Sequence, residues 1–230
     1  MLIILLIVFM IIGFIVSSRL KNKFKKYSQI GLQSGLSGRE IAEMMLRDHG
    51  IHDVKVVSVE GHLSDHYNPG NKTVNLSPEV YQGRSAAAAA VASHECGHAV
   101  QHATAYSFLE FRSAMVPIQN LSAKVLNFVM IGMFIFGNII FAMGLDSILL
   151  VVVAAQFVIT LFSLVTLPVE FDASNRALAW IDEKRIVNRE EHAMAKDALQ
   201  WAAMTYVVAA ISAITQLLYW VMILSGGSRD

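Results

Sequence analysis

His94-Glu95-Cys96-Gly97-His98 places two imidazoles four positions apart, with a carboxylate beside the first. On an α-helix residues four apart share a face, so both imidazoles can bind one Zn²⁺ while Glu95 stands next to them as a base for water that the metal polarises. This HExxH spacing is that of zinc hydrolases. A core helix with hydrogen-bonded histidines has no need of a glutamate beside the first of them, so the metal reading is preferred. His102 continues the same stripe. Eight residues of helix rise about 12 Å, however, and two ligating atoms at about 2 Å from one zinc are at most about 4 Å apart. The third ligand must therefore come from another part of the chain. The metzincin extension is missing, because Gln101 and Thr104 stand where its Gly and His would be.

The elements that must position this motif can also be read. Ser85 is a helix N-cap for Ala86 to Ala90, Val91 and Ala92, a helix-forming run that leads into the histidines. The metal face reads Ala87, Ala90, Val91, His94, His98, Gln101 and His102, and its small residues allow a second helix to approach closely. Upstream, Ser37-Gly38-Arg39-Glu40 is a capping box, Ile41, Met44 and Met45 form an apolar stripe, and Gly50 ends that helix. Val54 to Val59 reads as a strand, Gly61 to Ser77 as an irregular loop with a turn at Asn68-Pro69-Gly70-Asn71, and Lys72 to Leu76 as a second strand. Ser77-Pro78-Glu79 begins another helical turn. The two strands either hold an extended substrate by backbone hydrogen bonds or form a small hairpin with no substrate role.

The 230 residues carry 18 basic and 18 acidic side chains, and 55% are apolar. Balanced charge gives no footprint for nucleic acid. The apolar residues gather into Leu2–Val16, Val125–Leu145, Ile148–Leu167 and Ala202–Leu224, the last three long enough to cross a hydrocarbon core of about 30 Å. The first lacks basic residues ahead of it and reads as an uncleaved anchor. Arg19, Lys21, Lys23, Lys25 and Lys26 follow it directly, which places that side in the cytoplasm. With alternating spans every Lys and Arg except Arg229 then falls on the cytoplasmic side, and the turn Met143–Ser147 and both chain ends fall outside. Cys96 is the only cysteine and fits a reduced compartment. The expected division is 1–18 anchor, 19–124 cytoplasmic region with the HExxH motif, 125–168 transmembrane hairpin, 169–201 cytoplasmic third-ligand segment, and 202–230 final span and tail.

After the third span comes Leu167-Pro168-Val169-Glu170-Phe171-Asp172-Ala173-Ser174-Asn175-Arg176-Ala177. Alternating spans put Glu170 on the same membrane side as His94 and His98, whichever way the whole chain is oriented. Glu170, Ala173, Ser174 and Ala177 share a helical face of mostly small residues that can pack on the alanine face of the motif helix. Glu170 is the preferred third ligand, ahead of His192, Asp65 and His66. Asp172 lies about 200° around the helix and reads as a supporting or surface carboxylate.

Leu63-Ser64-Asp65-His66-Tyr67-Asn68-Pro69, Val74-Asn75-Leu76-Ser77, Ala92 to Gln101 and Leu167 to Ser174 together resemble the YugP-type bacterial membrane proteins, a family of neutral zinc metallopeptidases, over nearly the whole chain. The resemblance implies a gluzincin-like set of two His and one Glu. Gluzincin membrane proteases often carry an aspartate four residues after the ligand glutamate, where this chain has Ser174. The expected fold is a mainly α membrane protein, with about four transmembrane helices and a small α+β gluzincin-like zinc-binding portion on the cytoplasmic face. The expected function is peptide-bond hydrolysis at the bacterial plasma (inner) membrane, with one Zn²⁺ per chain on His94, His98 and Glu170 and with Glu95 as general base. His66, Tyr67, His102, Tyr106 and Arg176 have the chemistry for substrate or transition-state contacts. Substrates would be peptides or proteins, membrane proteins included. The rival reading is a non-catalytic, zinc-stabilised membrane adaptor, which would have no use for Glu95 beside its ligand.

Overall fold

A computed structural model describes residues 2–61, 64–142 and 146–226. Most of the expected turn Met143–Ser147, the tail after Gly226 and Leu63 of the family pattern lie outside the described residues. Among the described residues four helices are long and apolar enough to cross a membrane: α1 (Leu2–Ser28), the stretch Ser107–Met133 of α5 (Ser107–Ala142), Ser147–Glu183 of α6 (Asp146–Glu183), and α7 (Arg189–Gly226). The described part of the apolar run Val125–Leu145, up to Ala142, falls on α5, whose helix already begins at Ser107. Pro168 does not end α6, which runs on through Glu170 to Glu183.

The chain divides into two compact units. One comprises Met1–Gly13, Phe111–Leu167 and Tyr206–Asp230. Its buried core is Leu149, Val152 and Trp220, and Gln156 and Thr160 both hydrogen-bond the Ala213 carbonyl, at 3.2 and 3.1 Å. Large apolar side chains such as Phe128, Leu150 and Met222 face outward. A water-soluble surface does not look like this, whereas lipid tails cover it without cost.

The other unit comprises Phe14–Glu110 and Pro168–Thr205 and contains the HExxH motif. Its helix α2 (Gly38–Asp48) starts on the expected capping box, with the Ser37 amide donating to Glu40 at 2.7 Å and the Glu40 amide to the Ser37 hydroxyl at 3.3 Å. Gly50, at φ +69, turns the chain away after it. Helix α3 (Pro78–Tyr81) opens on Pro78 at a position that lacks an N–H partner anyway. Helix α4 (Ala86–Ala103) starts where the Ser85 side chain accepts the Ala88 amide at 3.2 Å. Ile41, Met45, Leu76 and Val80 pack with Ala86 to Ala90, all at most 1% exposed.

The sheet corrects the sequence reading. The strands expected near 54–59 and 72–76 are present as β1 (Lys55–Ser58) and β3 (Thr73–Leu76), but they pair in parallel and form no hairpin with each other. A third strand, β2 (His66–Asn68), occupies the loop expected to be irregular and pairs antiparallel with β3, giving the order β1-β3-β2. The Asn68 side chain explains the turn between them. Its Oδ1 accepts the Gly70 amide at 2.9 Å and reverses the chain, so that β2 lies on the edge of the sheet opposite β1.

Candidate metal centre

Helix α4 presents His94 and His98 on one face with ring centroids 4.8 Å apart. Glu170 reaches them from α6, its Oε2 lying 3.4 Å from His94 Nε2 and 3.5 Å from His98 Nε2. Atoms bound tetrahedrally at about 2.0–2.2 Å from one zinc lie about 3.3–3.6 Å apart, so these contacts match a shared cation. The three ligating atoms all fall within 4.8 Å of one another, and this is the one such group among the described residues. Asp65 is occupied elsewhere, accepting the Ser77 amide at 2.7 Å, and exposed His66 has its Nδ1 2.7 Å from the Ser64 carbonyl.

Close approach of the two helices makes this geometry possible. A methyl group at Gly97, between the two histidines, would stand 2.6 Å from the Ala173 carbonyl oxygen. Ala173 and Ala177 are fully buried on the facing side of α6, as the small-residue face implied.

The outer nitrogens of both histidines are held. Gln101 donates through Nε2 to the Val169 carbonyl at 2.7 Å and to Asp172 Oδ2 at 2.8 Å. Both are acceptors, which orients the amide and leaves its oxygen facing His98 Nδ1 at 2.9 Å. An amide oxygen only accepts, so His98 carries its proton on Nδ1 and keeps the Nε2 lone pair for the metal side. Asp172 is braced in turn by Arg176 at 2.5 Å, whose guanidinium lies over the Tyr106 ring. Asp172 thus acts on His98 through an amide. Ser174, standing where broader gluzincin membrane proteases often carry an aspartate, lies 3.1 Å from His94 Nδ1 and holds the other ring. Sequence reasoning put Gln101 on the metal face without giving it a task. The available signal was its position three residues after the second histidine.

Burial works against a protonated His98, but the Glu170 carboxylate outweighs it and raises the imidazole pKa. Positive charge is therefore favoured where these atoms converge. Two imidazoles and one carboxylate are a donor set suited to Zn²⁺.

Glu95 is 8% exposed. Its Oε2 accepts the backbone N–H of Tyr67 on β2 at 2.9 Å. The Tyr67 hydroxyl meets His102 Nδ1 at 2.8 Å. Burial pushes the Tyr67 phenol pKa up, so it stays protonated at neutral pH. Of the five side chains with suitable chemistry, Tyr67 and His102 are thus joined to each other and, through the Tyr67 backbone, to Glu95. Arg176 and Tyr106 belong to the brace behind His98, and His66 lies exposed on β2.

A family described as “Putative neutral zinc metallopeptidase” matches residues 2–225. The chain is 43% identical over 213 residues to “Putative membrane protease YugP” of Bacillus subtilis (strain 168), covering 92% of this chain and 91% of that protein. No solved structure matches the chain.

Proposed function

The chain belongs to the family described as “Putative neutral zinc metallopeptidase”, and from that premise we propose that it is a gluzincin-like peptidase of the plasma membrane. In this reading His94, His98 and Glu170 hold one Zn²⁺ near the cytoplasmic membrane surface, and Glu95 is the general base. The observation that carries the reading is the anchoring of Glu95 Oε2 by the Tyr67 amide, next to a ligand helix whose histidines both meet Glu170. A purely structural metal site gains nothing from a fixed carboxylate beside its first ligand.

Bound at these side chains, Zn²⁺ would bring the pKa of a water to about 7 and polarise a carbonyl. With Oε2 held by the Tyr67 amide, Glu95 uses Oε1 to take the proton of the attacking water and pass it to the leaving amine. Because N–H and C=O of one strand residue point to the same side, the Tyr67 carbonyl faces the free edge of β2 as its amide does. An extended peptide can add there by backbone pairing. The protonated Tyr67 hydroxyl, steadied by His102, is the donor for the developing oxyanion. Substrates are peptides or proteins, membrane proteins among them.

Glu95→Gln keeps the size of the side chain but takes no proton. We expect zinc content to stay at the wild-type level while hydrolysis of an unfolded probe such as casein falls about 10²-fold or more. Wild-type turnover by Glu95→Gln would refute the base role. A zinc-loaded wild type that cleaves nothing in a broad peptide screen, with a cellular phenotype indifferent to Glu95→Gln, would establish the adaptor reading instead. For the membrane side, a cysteine placed at Lys55 should resist an impermeant reagent added to intact cells and react after lysis. Labelling from outside would invert the proposed orientation.

A further inference from the structure

Across the end of its apolar run, α1 carries a groove of about 340 Å³ with a graded lining. Phe14, Ser18, Asn22 and Lys26 follow one another at four-residue spacing, and Ile15, Arg19 and Lys23 form the adjacent row. Each row passes from apolar to cationic. Phe14 and Ile15 are 75% and 52% exposed at the apolar end.

The cationic end is short of counter-charge. Of the five cations from Arg19 to Lys26, only Lys23 has a carboxylate partner among the described residues, Asp197 on α7 at 2.8 Å. Tyr27 donates to the same carboxylate at 2.6 Å, which fixes Lys23 at the inner edge of the groove. Lys26 rests beside the Tyr27 ring, 5.7 Å from its centroid. Arg19 has neither a carboxylate nor a ring partner among the described residues, and the Ser18 hydroxyl and Asn22 amide make no hydrogen bond there.

We propose that this groove holds one anionic phospholipid, its phosphate bound by Arg19, Ser18, Asn22 and Lys26 and its acyl chains lying along Phe14 and Ile15. The dimensions agree. From Ser18 to Asn22 the helix rises about 6 Å, comparable with the headgroup layer on one side of a bilayer, about 5–8 Å. Free phosphate would satisfy the cations and leave the apolar half uncovered. A zwitterionic lipid brings its own cation and leaves Arg19 unbalanced. Non-specific attraction of a basic segment to an anionic surface would not distinguish one face of the helix from another. The groove makes that distinction, because Lys21 and Lys25 lie about 200–240° around α1 from Arg19 and do not line it.

The test is native mass spectrometry of the full, zinc-loaded chain released from neutral detergent, titrated in parallel with phosphatidylglycerol, phosphatidylcholine or inorganic phosphate. Retention of one phosphatidylglycerol in preference to phosphatidylcholine is expected. Arg19→Ala and Lys26→Ala should each weaken it about five-fold, the size expected for one cation at an anionic bilayer surface. Lys21→Ala and Lys25→Ala should leave it unchanged although they remove the same charge. Phe14→Ser, an exposed change that tests the apolar half without touching charge, should also weaken it. Equal losses from Lys21→Ala and Arg19→Ala would overturn the site in favour of diffuse attraction. Equal retention of phosphatidylcholine, or displacement of the lipid by inorganic phosphate, would overturn the assignment of an anionic lipid.

Discussion

At Gly97 and Ala173 two helices approach until a single added methyl would stand 2.6 Å from a carbonyl oxygen. In the other unit Phe128, Leu150 and Met222 stand 76%, 60% and 63% exposed. The unit with the histidines packs alanine and glycine against one another and gives the Nδ1 atom of each of the two rings a partner. The apolar unit turns its bulk outward around a buried cluster of Leu149, Val152 and Trp220. Small residues let backbones approach, and near backbones are stiff platforms for ligands. Large outward residues make good lipid contacts and tolerate exchange. The two units therefore call for different sensitivity to the same kind of substitution.

The most severe way to probe this difference is to remove a ligand. His94→Ala, His98→Ala or Glu170→Ala should each lower zinc content from about one per chain to a small fraction of that, read by metal analysis of purified protein. Full zinc retention by Glu170→Ala would break the assignment of the third ligand. A milder cut is Gln101→Leu, which keeps approximate volume but frees the His98 ring and removes the amide donor from Asp172 and from the Val169 carbonyl. Zinc affinity should fall about 10–100-fold, measured by competition with a chelator. An unchanged affinity would mean that the packing of α4 on α6 alone orients His98.

The mildest pair sets one unit directly against the other. Gly97→Ala adds one methyl and should cost about 1–3 kcal/mol of stability by overpacking, with a lower thermal midpoint and weaker zinc binding. Phe128→Ala removes the whole ring from an exposed position and should leave zinc binding unchanged, with stability shifted by less than about 0.5 kcal/mol. Equal sensitivity at the two positions would erase the distinction between the units.

These contrasts also mark where the sequence could be read. The pairing of His94 with His98, the Ser85 cap, the Ser37 capping box and the small face of Glu170, Ala173 and Ala177 all follow from local spacing on one helix, and they stand as read. Strand β2 escaped because His66-Tyr67-Asn68 is too short and too polar for alternation to show. Its existence depends on the Asn68 side chain folding back on the turn. The parallel pairing of β1 with β3 depended on that same insertion of β2. Gln101, Ser174 and Gly97 escaped for a different reason: each has a partner about 70 to 80 residues away. A single sequence shows what a residue offers, but not which distant atom accepts it.

The antiparallel pairing of β2 ties the catalytic proposal to something as plain as the length of a turn. Tyr67 sits opposite Val74, and its amide points off the sheet to Glu95. In a pleated strand neighbouring residues alternate in the direction of their amides, so a slip by one position would turn the Tyr67 amide inward and present its neighbour at the wrong place. The stretch Pro69 to Lys72 thus works as a spacer with parity. An insertion or deletion of one residue there would disarm Glu95 while leaving every zinc ligand in place, and a second compensating change would be needed to bring the strand back into phase.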